Sequence, residues 1–199
     1  MKKVNDPDAL RTRLLTSALR DVPFDGWTDA VLAKAARENH AAARELFPQG
    51  VLDLVLFFSA WADAQMLKIM PKKKLDALRV RDRVGFGVRT RLEILSAHRE
   101  AVSSSLSFLA KPPRNLHLPK IVWATADKIW RAGGDTATDY NHYTKRILLS
   151  GVLTSTTLCW LNDDSEGHEK TWAFLERRID EVLKIGQALG RFRRKDKSA

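Results

Sequence analysis

The sequence predicts an all-α chain with a helix-turn-helix near its N-terminus and two long antiparallel helices at its C-terminus. Three observations carry this. Apolar residues recur every three to four positions rather than alternating. Seven prolines and ten glycines interrupt 199 residues, leaving long uninterrupted stretches. The punctuation falls at helix-length intervals, at Pro23, Pro48 to Gly50, Pro71, Lys111 to Pro119, Gly133-Gly134 and Asn162 to Asp164.

The first helix is expected from Asp6 to Arg20, with Asp6 and Asp8 at the positive end of its dipole and Leu10, Leu14, Leu15, Ala18 and Leu19 on one face. Pro23 is expected to end it. Thr28 is a good N-cap for a helix through Glu38; Asn39-His40 makes a turn before a short helix from Ala41 to Phe47. After Pro48 and Gly50, residues Val51 to Ile69 are apolar nearly all round and predict a central helix. A basic helix follows from about Lys73 to His98, its inward stripe marked by Leu75, Leu78, Val84, Val88, Leu92 and Leu95, and then a shorter one from Arg99 to Leu109. Beyond the proline-rich loop, Ile121 to Arg131 reads as a helix with Val122, Ala126, Ile129 and Trp130 along one side. The last two helices span about Asp139 to Leu161 and Ser165, a candidate N-cap, to about Leu189. The chain therefore divides into a helix-turn-helix-like module (1–70), a helical body (71–190) and a basic tail (191–199).

The formal charge of +10 sits in two blocks. Lys72 to Arg91 holds eight cations against Asp76 and Asp82, and Arg191 to Lys197 holds five against Asp196. A single cysteine, Cys159, excludes an internal disulfide and fits a reducing compartment. Asn5, Asp6 and Asp8 stand where a signal peptide needs an apolar run, and the acids also argue against a transit peptide. The longest uncharged run, Ile147 to Asn162, is shorter than the roughly 20 residues of a membrane span. A cytoplasmic location is expected, peripheral to the inner face of the membrane where the basic segments engage it.

The arrangement from Phe24 to Leu54 looks like the DNA-reading module of TetR-type regulators. A reader of DNA needs cations for phosphates and Arg, Lys, Asn or Gln at base edges. Here Phe24 to Phe47 carries Lys34, Arg37 and Arg44 against Asp25, Asp29, Glu38 and Glu45, and the candidate recognition helix is alanine-rich. The helix-turn-helix is thus read as degenerate and nucleic acid is not expected as a partner. Catalytic chemistry has no foothold either. The five histidines fall in separate elements, Gly85-Phe86-Gly87 lacks the strand that a phosphate loop follows, and Cys159 lies in apolar surroundings that disfavour a reactive thiolate. No metal, cofactor or enzymatic activity is expected.

The informative stretch runs from Trp130 to Leu161. Asp139, His142, Tyr143 and Arg146 stand at i, i+3, i+4 and i+7 and so share one helical face. Such a face fits an interface, or equally an end-cap with Arg146 paired to a nearby acid. The following turns mix Leu148, Leu149 and Val152 with Ser150, Gly151, Ser155, Thr156 and Thr157, leaving room for a second helix in a dimer or for an apolar ligand.

Trp130, Asp135, Thr138-Asp139, Asn141, Tyr143-Thr144, Arg146, Thr156-Thr157 and Thr171-Trp172-x-Phe174-Leu175-Glu176-x-Arg178, with Gly26-Trp27-Thr28 upstream, resemble the signature of the coenzyme Q biosynthesis "COQ-nine" family. The resemblance implies a TetR-like helical bundle that binds isoprenoid or quinone-like lipid in an apolar pocket, dimerises, and assists the demethoxyubiquinone hydroxylase without being an enzyme itself. It places the lipid against Phe86, Leu92, Leu95, Ala126, Ile129, Trp130, Leu148 and Val152, and the partner patch on Ile129, Asp139, Tyr140, His142, Tyr143 and Arg146. His142 departs from the tryptophan of mitochondrial members. Tyr143→Ala and Arg146→Glu are both expected to leave folding intact while impairing hydroxylation. The alternative reading is a TetR-type regulator with an apolar effector, which a salt-dependent gel shift would reveal.

Overall fold

The structure is a computed structural model that describes residues 6–70, 78–138 and 140–196. Among these there is no strand. The helices are α1 (Pro7–Asp25), α2 (Asp29–Glu38), α3 (Ala43–Leu46), α4 (Val51–Ile69), α5 (Val80–Leu95), α6 (Arg99–Leu109), α7 (His117–Ala132), α8 (Tyr140–Leu161) and α9 (Glu169–Asp196). They form two compact units, Met1–Ala64 with Leu95–Leu118, and Gln65–Ile94 with Pro119–Ala199. Leu75 and all three lysines of the first basic block, Lys72 to Lys74, lie outside the described residues, as do Asp139 and Lys197.

In the first unit, α1 packs on α2 and α6 through the expected face, with Leu14, Leu15, Ala18 and Leu19 buried. Pro23 does not end α1. A proline removes one helical hydrogen bond, and in the exposed last turn the chain tolerates this until Gly26, whose N–H closes on the Val22 carbonyl at 2.9 Å and whose φ is +67°. Thr28 caps α2 as expected, its Oγ1 accepting from Val31 N at 3.3 Å. Trp27 is buried beside it, donating from Nε1 to the Ala101 carbonyl at 3.0 Å and packing on Phe58 with ring centroids 5.5 Å apart.

The candidate recognition helix shrinks from the expected Ala41 to Phe47 to a single turn, Ala43–Leu46. His40 adopts a left-handed conformation, φ 48°, so Ala41 belongs to the turn. Phe47 swings into the core under Arg11, whose guanidinium stands 5.1 Å from its ring centroid and 4.6 Å from that of Phe57. Gly50 is required here. Its φ is +63°, and a Cβ would lie 2.6 Å from Asp29 Oδ1, the atom that accepts from Val51 N and so caps α4 from another helix. Within this unit α4 buries Leu54, Val55, Phe58 and Ala62, as its apolar character predicts.

In the second unit, the inward stripe of α5 holds for Val84, Val88 and Leu92, but Leu78 precedes the helix and is 39% exposed. The helix ends at Leu95, and Ser96–His98 form a 3-10 turn rather than continuing it, because His98 leaves helical geometry at φ -132°. Gly85 and Gly87 mark close helix contacts. A Cβ on Gly87 would stand 2.9 Å from Ile129 of α7, and one on Gly85 would stand 3.0 Å from Ile179 of α9. This gives the Gly-Phe-Gly sequence a packing role.

Helix α7 begins four residues earlier than expected, at His117, with Pro119 inside its first turn. The first four N–H groups of a helix have no internal acceptor, so proline loses nothing there. Helix α8 packs along α9. Ser165 was the expected cap of the last helix, but a 3-10 turn, Glu166–His168, intervenes, and Asp163 takes the larger part of that role. Buried Asp163 accepts from Ser165 N and Oγ at 2.9 and 2.5 Å, and from Thr171 N and Oγ1 at 2.8 and 2.6 Å. The hydrogen bonds from the Ser165 side chain, then the Thr171 side chain, hold its carboxyl far below the usual range. At the other end, α9 runs beyond Leu189 to Asp196; no proline interrupts 190–196, and cations suit a helix C-terminus.

Candidate functional site

The stretch around Trp130 forms a charged network joining α7, the loop after it and the start of α8. Arg146 is its centre and is 1% exposed. Its Nε donates to Asp127 Oδ1 at 2.7 Å, and its Nη1 donates to Asp135 Oδ2 at 2.9 Å and to the His142 carbonyl at 3.1 Å. Asp127 also accepts from Arg131 Nε at 2.7 Å, and Asp135 from Lys145 Nζ at 2.6 Å. Burial raises the pKa of both carboxyls, but the hydrogen bonds and charges of these cations outweigh it, so both lie below their ordinary value. Trp130 donates from Nε1 to the Lys145 carbonyl at 3.0 Å, with Lys145 Nζ 5.3 Å from its ring centroid. The loop is tied from α5 by Arg83, which donates to the Gly133 carbonyl at 2.8 Å.

The expected exposed Tyr-and-Arg face therefore has to be corrected. Tyr143 is 58% exposed, but Arg146 turns inward to two carboxylates, the end-cap arrangement. Ile129 is 0% exposed, locked against α5 near Gly87, and offers no side chain to a partner. Asp139 lies outside the described residues, and Tyr140 opens α8. His142 is half-buried; its Nδ1 is 3.0 Å from the Ala137 carbonyl, which can only accept, so the proton sits on that nitrogen. Beside it lies an aromatic side chain that sequence reasoning missed. The Trp123 ring of α7 is 6.4 Å from His142 and 6.2 Å from Tyr143, giving a three-ring patch across α7 and α8. One face of α8 continues outward from this patch with Ile147 at 61% and Leu158 at 50% exposure, separated by Gly151, whose absent Cβ would meet nothing within 4 Å.

The opposite face of α8 borders an apolar cleft of about 30 Å³. Val80 and Val84 of α5, Trp130 of α7, Leu149 and Val152 of α8, and Ile179 and Val182 of α9 line it. Of the eight expected lipid contacts, Trp130 and Val152 are on this wall. Leu92, Ala126 and Ile129 are instead wholly packed, Leu148 is half-buried off the wall, Phe86 is 38% exposed, and Leu95 is buried in the first unit. Period alone could not tell them apart, because packed and cleft-lining residues share one apolar stripe.

Most arginines of the first basic block have internal partners. Arg79 pairs with Asp82 at 2.9 Å, Arg81 with Asp180 at 2.7 Å, and Arg89 with Glu93 at 2.8 Å while covering the Trp172 ring. In the helix-turn-helix module, Lys34 pairs with Asp21 and Arg20 with Glu38, both at 2.8 Å. Among the described residues no group of three carboxylate, imidazole or thiol side chains is placed to hold a metal ion.

Taken with its order of helices, this defines a protein of the TetR-like helical fold. A TetR transcriptional regulator from Nitrosomonas europaea superimposes with a TM-score of 0.70 over 88% of this chain and 98% of that one, at 19% identity, which speaks for the fold alone. Residues 117–186, the segment that holds the network and most of the cleft wall, match the COQ9 family model. Ubiquinone biosynthesis protein COQ9-B, mitochondrial, of Xenopus laevis is 33% identical over 92% of this chain and 65% of its own length. The human COQ9 protein is 30% identical over 90% and 59%, and the Drosophila melanogaster one 31% over 92% and 58%. The chain is similar to the COQ9 family and spans less than two thirds of these relatives' length.

Proposed function

We propose that the protein is a non-enzymatic accessory factor of ubiquinone biosynthesis that binds an isoprenoid or quinone-like lipid and presents it to the demethoxyubiquinone hydroxylase. The observation that carries this reading is the coincidence of the COQ9 segment, 117–186, with the apolar cleft and with the aromatic patch beside it. The cleft supplies apolar wall. At about 30 Å³ it is far below the roughly 300–1,000 Å³ of small-molecule pockets, so loading requires α8 and α9 to part from α5 and α7. Organic extraction of the purified protein, or native mass spectrometry with added quinone, is expected to show bound isoprenoid lipid. Purified protein that carries none and takes none up overturns the lipid reading.

The hydroxylase is assigned to the Trp123–His142–Tyr143 patch, since Tyr and Trp anchors dominate protein interfaces. Truncating Tyr143→Ala is expected to weaken that contact by about 2 kcal/mol, roughly thirtyfold, without loss of folding, because the side chain is 58% exposed. The measurement is accumulation of demethoxyubiquinone in cells carrying the variant; normal quinone levels there would remove the patch from the reading. The outer face of α8 from Ile147 to Leu158 is assigned to a homodimer seam. No helix among the described residues is long and apolar enough to cross a membrane, so the reading places membrane contact peripherally, at the basic end of α9. DNA binding fits less well, because α3 is one turn long and carries Arg44 beside Glu45.

A further inference from the structure

Four helix seams surround the apolar cleft, and they are closed by unequal means. The α7–α8 seam is held by Arg146, 1% exposed, and by the Trp130 indole on the Lys145 carbonyl. The α5–α7 seam is locked where Gly87 meets Ile129 and where Arg83 donates to the Gly133 carbonyl at 2.8 Å. Helix α8 packs along α9, and buried Asp163 ties their turn to Thr171. The α5–α9 seam differs from these. At its far end the Arg89 guanidinium covers the Trp172 ring at 4.7 Å, and that indole is fixed in turn by donating to the Gly167 carbonyl at 2.7 Å. One turn before Arg89, Gly85 lies against Ile179. At the near end, about 12 Å from Arg89 along α5, the seam is closed by Arg81 Nη1 on Asp180 Oδ1 at 2.7 Å, with side chains 34% and 45% exposed.

This ion pair stands at the mouth of the cleft. Val84, Leu149, Val152 and Ile179 of the wall are buried, whereas Val80 beside Arg81 is 50% exposed and Val182 and Leu183 beyond Asp180 are half-buried. Among the described residues that line the cleft, Arg81 alone is charged. An exposed ion pair contributes little to stability, so it closes the seam reversibly. Releasing it strands neither charge, since Arg81 Nε is already 3.5 Å from Asp82 Oδ1 and Asp180 keeps its contact with solvent.

We propose that the Arg81–Asp180 ion pair is a latch on the cleft. Its release lets α9 swing from α5 about Trp172, and the fraction of time it stands open limits the entry of ligand. The inference rests on the lipid-binding reading above. It adds the seam at which loading takes place and a dependence on ionic strength, because salt screens an exposed pair and spares the buried ties of the other seams.

The test compares the natural pair with Asp180→Asn and with the double variant Arg81→Asp, Asp180→Arg, which restores the pair with its charges exchanged. Opening is read without ligand from a thiol placed on the buried wall, Val152→Cys in a Cys159→Ser background. Adding Asp180→Asn is expected to speed its labelling by iodoacetamide about three- to fivefold, the equilibrium worth of an exposed ion pair. Entry is read by stopped-flow quenching of tryptophan fluorescence with a ubiquinone carrying two isoprene units. Uptake is expected to accelerate by the same factor in Asp180→Asn and to return toward the wild-type rate in the exchanged pair. Raising salt from about 20 to about 500 mM is expected to speed uptake by wild type and not by Asp180→Asn. Labelling and uptake at wild-type rates in Asp180→Asn overturn the latch and leave lipid binding standing. Faster labelling with unchanged uptake also overturns it, because the seam then opens without governing entry. Wild type that takes up no quinone at either salt concentration overturns the lipid reading and, with it, the role of the latch as a gate.

Discussion

Replacing Arg146 by methionine is expected to lower the free energy of unfolding by about 3–5 kcal/mol, measured by urea denaturation, the range found when one partner of a buried ion pair is removed. The magnitude follows from what remains. Asp127 and Asp135, with side chains 23% and 6% exposed, would face the apolar replacement without their shared guanidinium, left to the more exposed Arg131 and Lys145 and, for Asp135, a backbone hydrogen bond from Ala137. The Arg146→Glu change is worse, since it brings a third carboxylate to the same place. It therefore unfolds or loosens the segment, and cannot serve as a folding-neutral probe of a partner face. A rescue separates the buried charge from mere loss of packing. Adding Asp127→Asn and Asp135→Asn to Arg146→Met removes both uncompensated charges and is expected to recover most of the lost stability. A single variant that costs under about 1 kcal/mol, or a triple variant no better than the single, would show that the network does not organise the segment.

Spacing leaves Arg146 open to a partner face or to an end-cap paired with a nearby acid, and the structure has the second. Positions 139, 142, 143 and 146 share one face by spacing, but helical spacing fixes direction only relative to neighbours on the same helix. Which side of α8 met α7 depended on Asp127 and Asp135, 19 and 11 positions from Arg146, and nothing in a spacing rule selects them. Trp123 was invisible for the same reason, since its meeting with Tyr143 is tertiary. Local chemistry was read well. The Thr28 cap, the bounds of α4, the stop at Gly133-Gly134 and the turn at Asn162 to Asp164 all follow from residue-level conformational preferences and appear in the structure. The errors at Pro23 and Pro119 share one cause. Proline reads as a stop from sequence, whereas at the first or last turn it removes a hydrogen bond that is absent or replaceable. The cleft wall is the least legible. Ala126 and Ile129 fill helix contacts while Trp130 lines the cleft, a distinction set by the glycine approaches of α5 rather than by hydrophobicity.

Acid should destabilise the fold in two steps. Burial lowers the pKa of His98, which packs edge-on against Phe58 and Trp61 with centroids 6.2 and 5.9 Å away. The unfolded chain thus binds a proton at this imidazole more readily than the native one, and stability declines as pH falls below about 6.5. Asp127 and Asp135 have native pKa values depressed below the unfolded value of about 3.9, so their contribution is complete above that pH and is lost as pH falls through the native values. In both cases the unfolded state holds more protons, which makes the unfolding free energy rise with pH, by up to about 1.4 kcal/mol per pH unit for each group while it titrates. Urea melts at intervals from pH 7 to pH 3 are expected to show a shallow decline beginning near pH 6.5 and a steeper one below about pH 4. His98→Phe should abolish the first and leave the second. Arg146→Met should weaken the second, because Asp127 and Asp135 lose the cation that depresses them, with the remaining slope coming from Asp163, whose bonds to Ser165 and Thr171 are untouched. A wild-type profile that stays flat down to pH 3 would contradict the native-state depression of these carboxyls, and an unchanged slope in Arg146→Met would assign it to carboxylates outside the network.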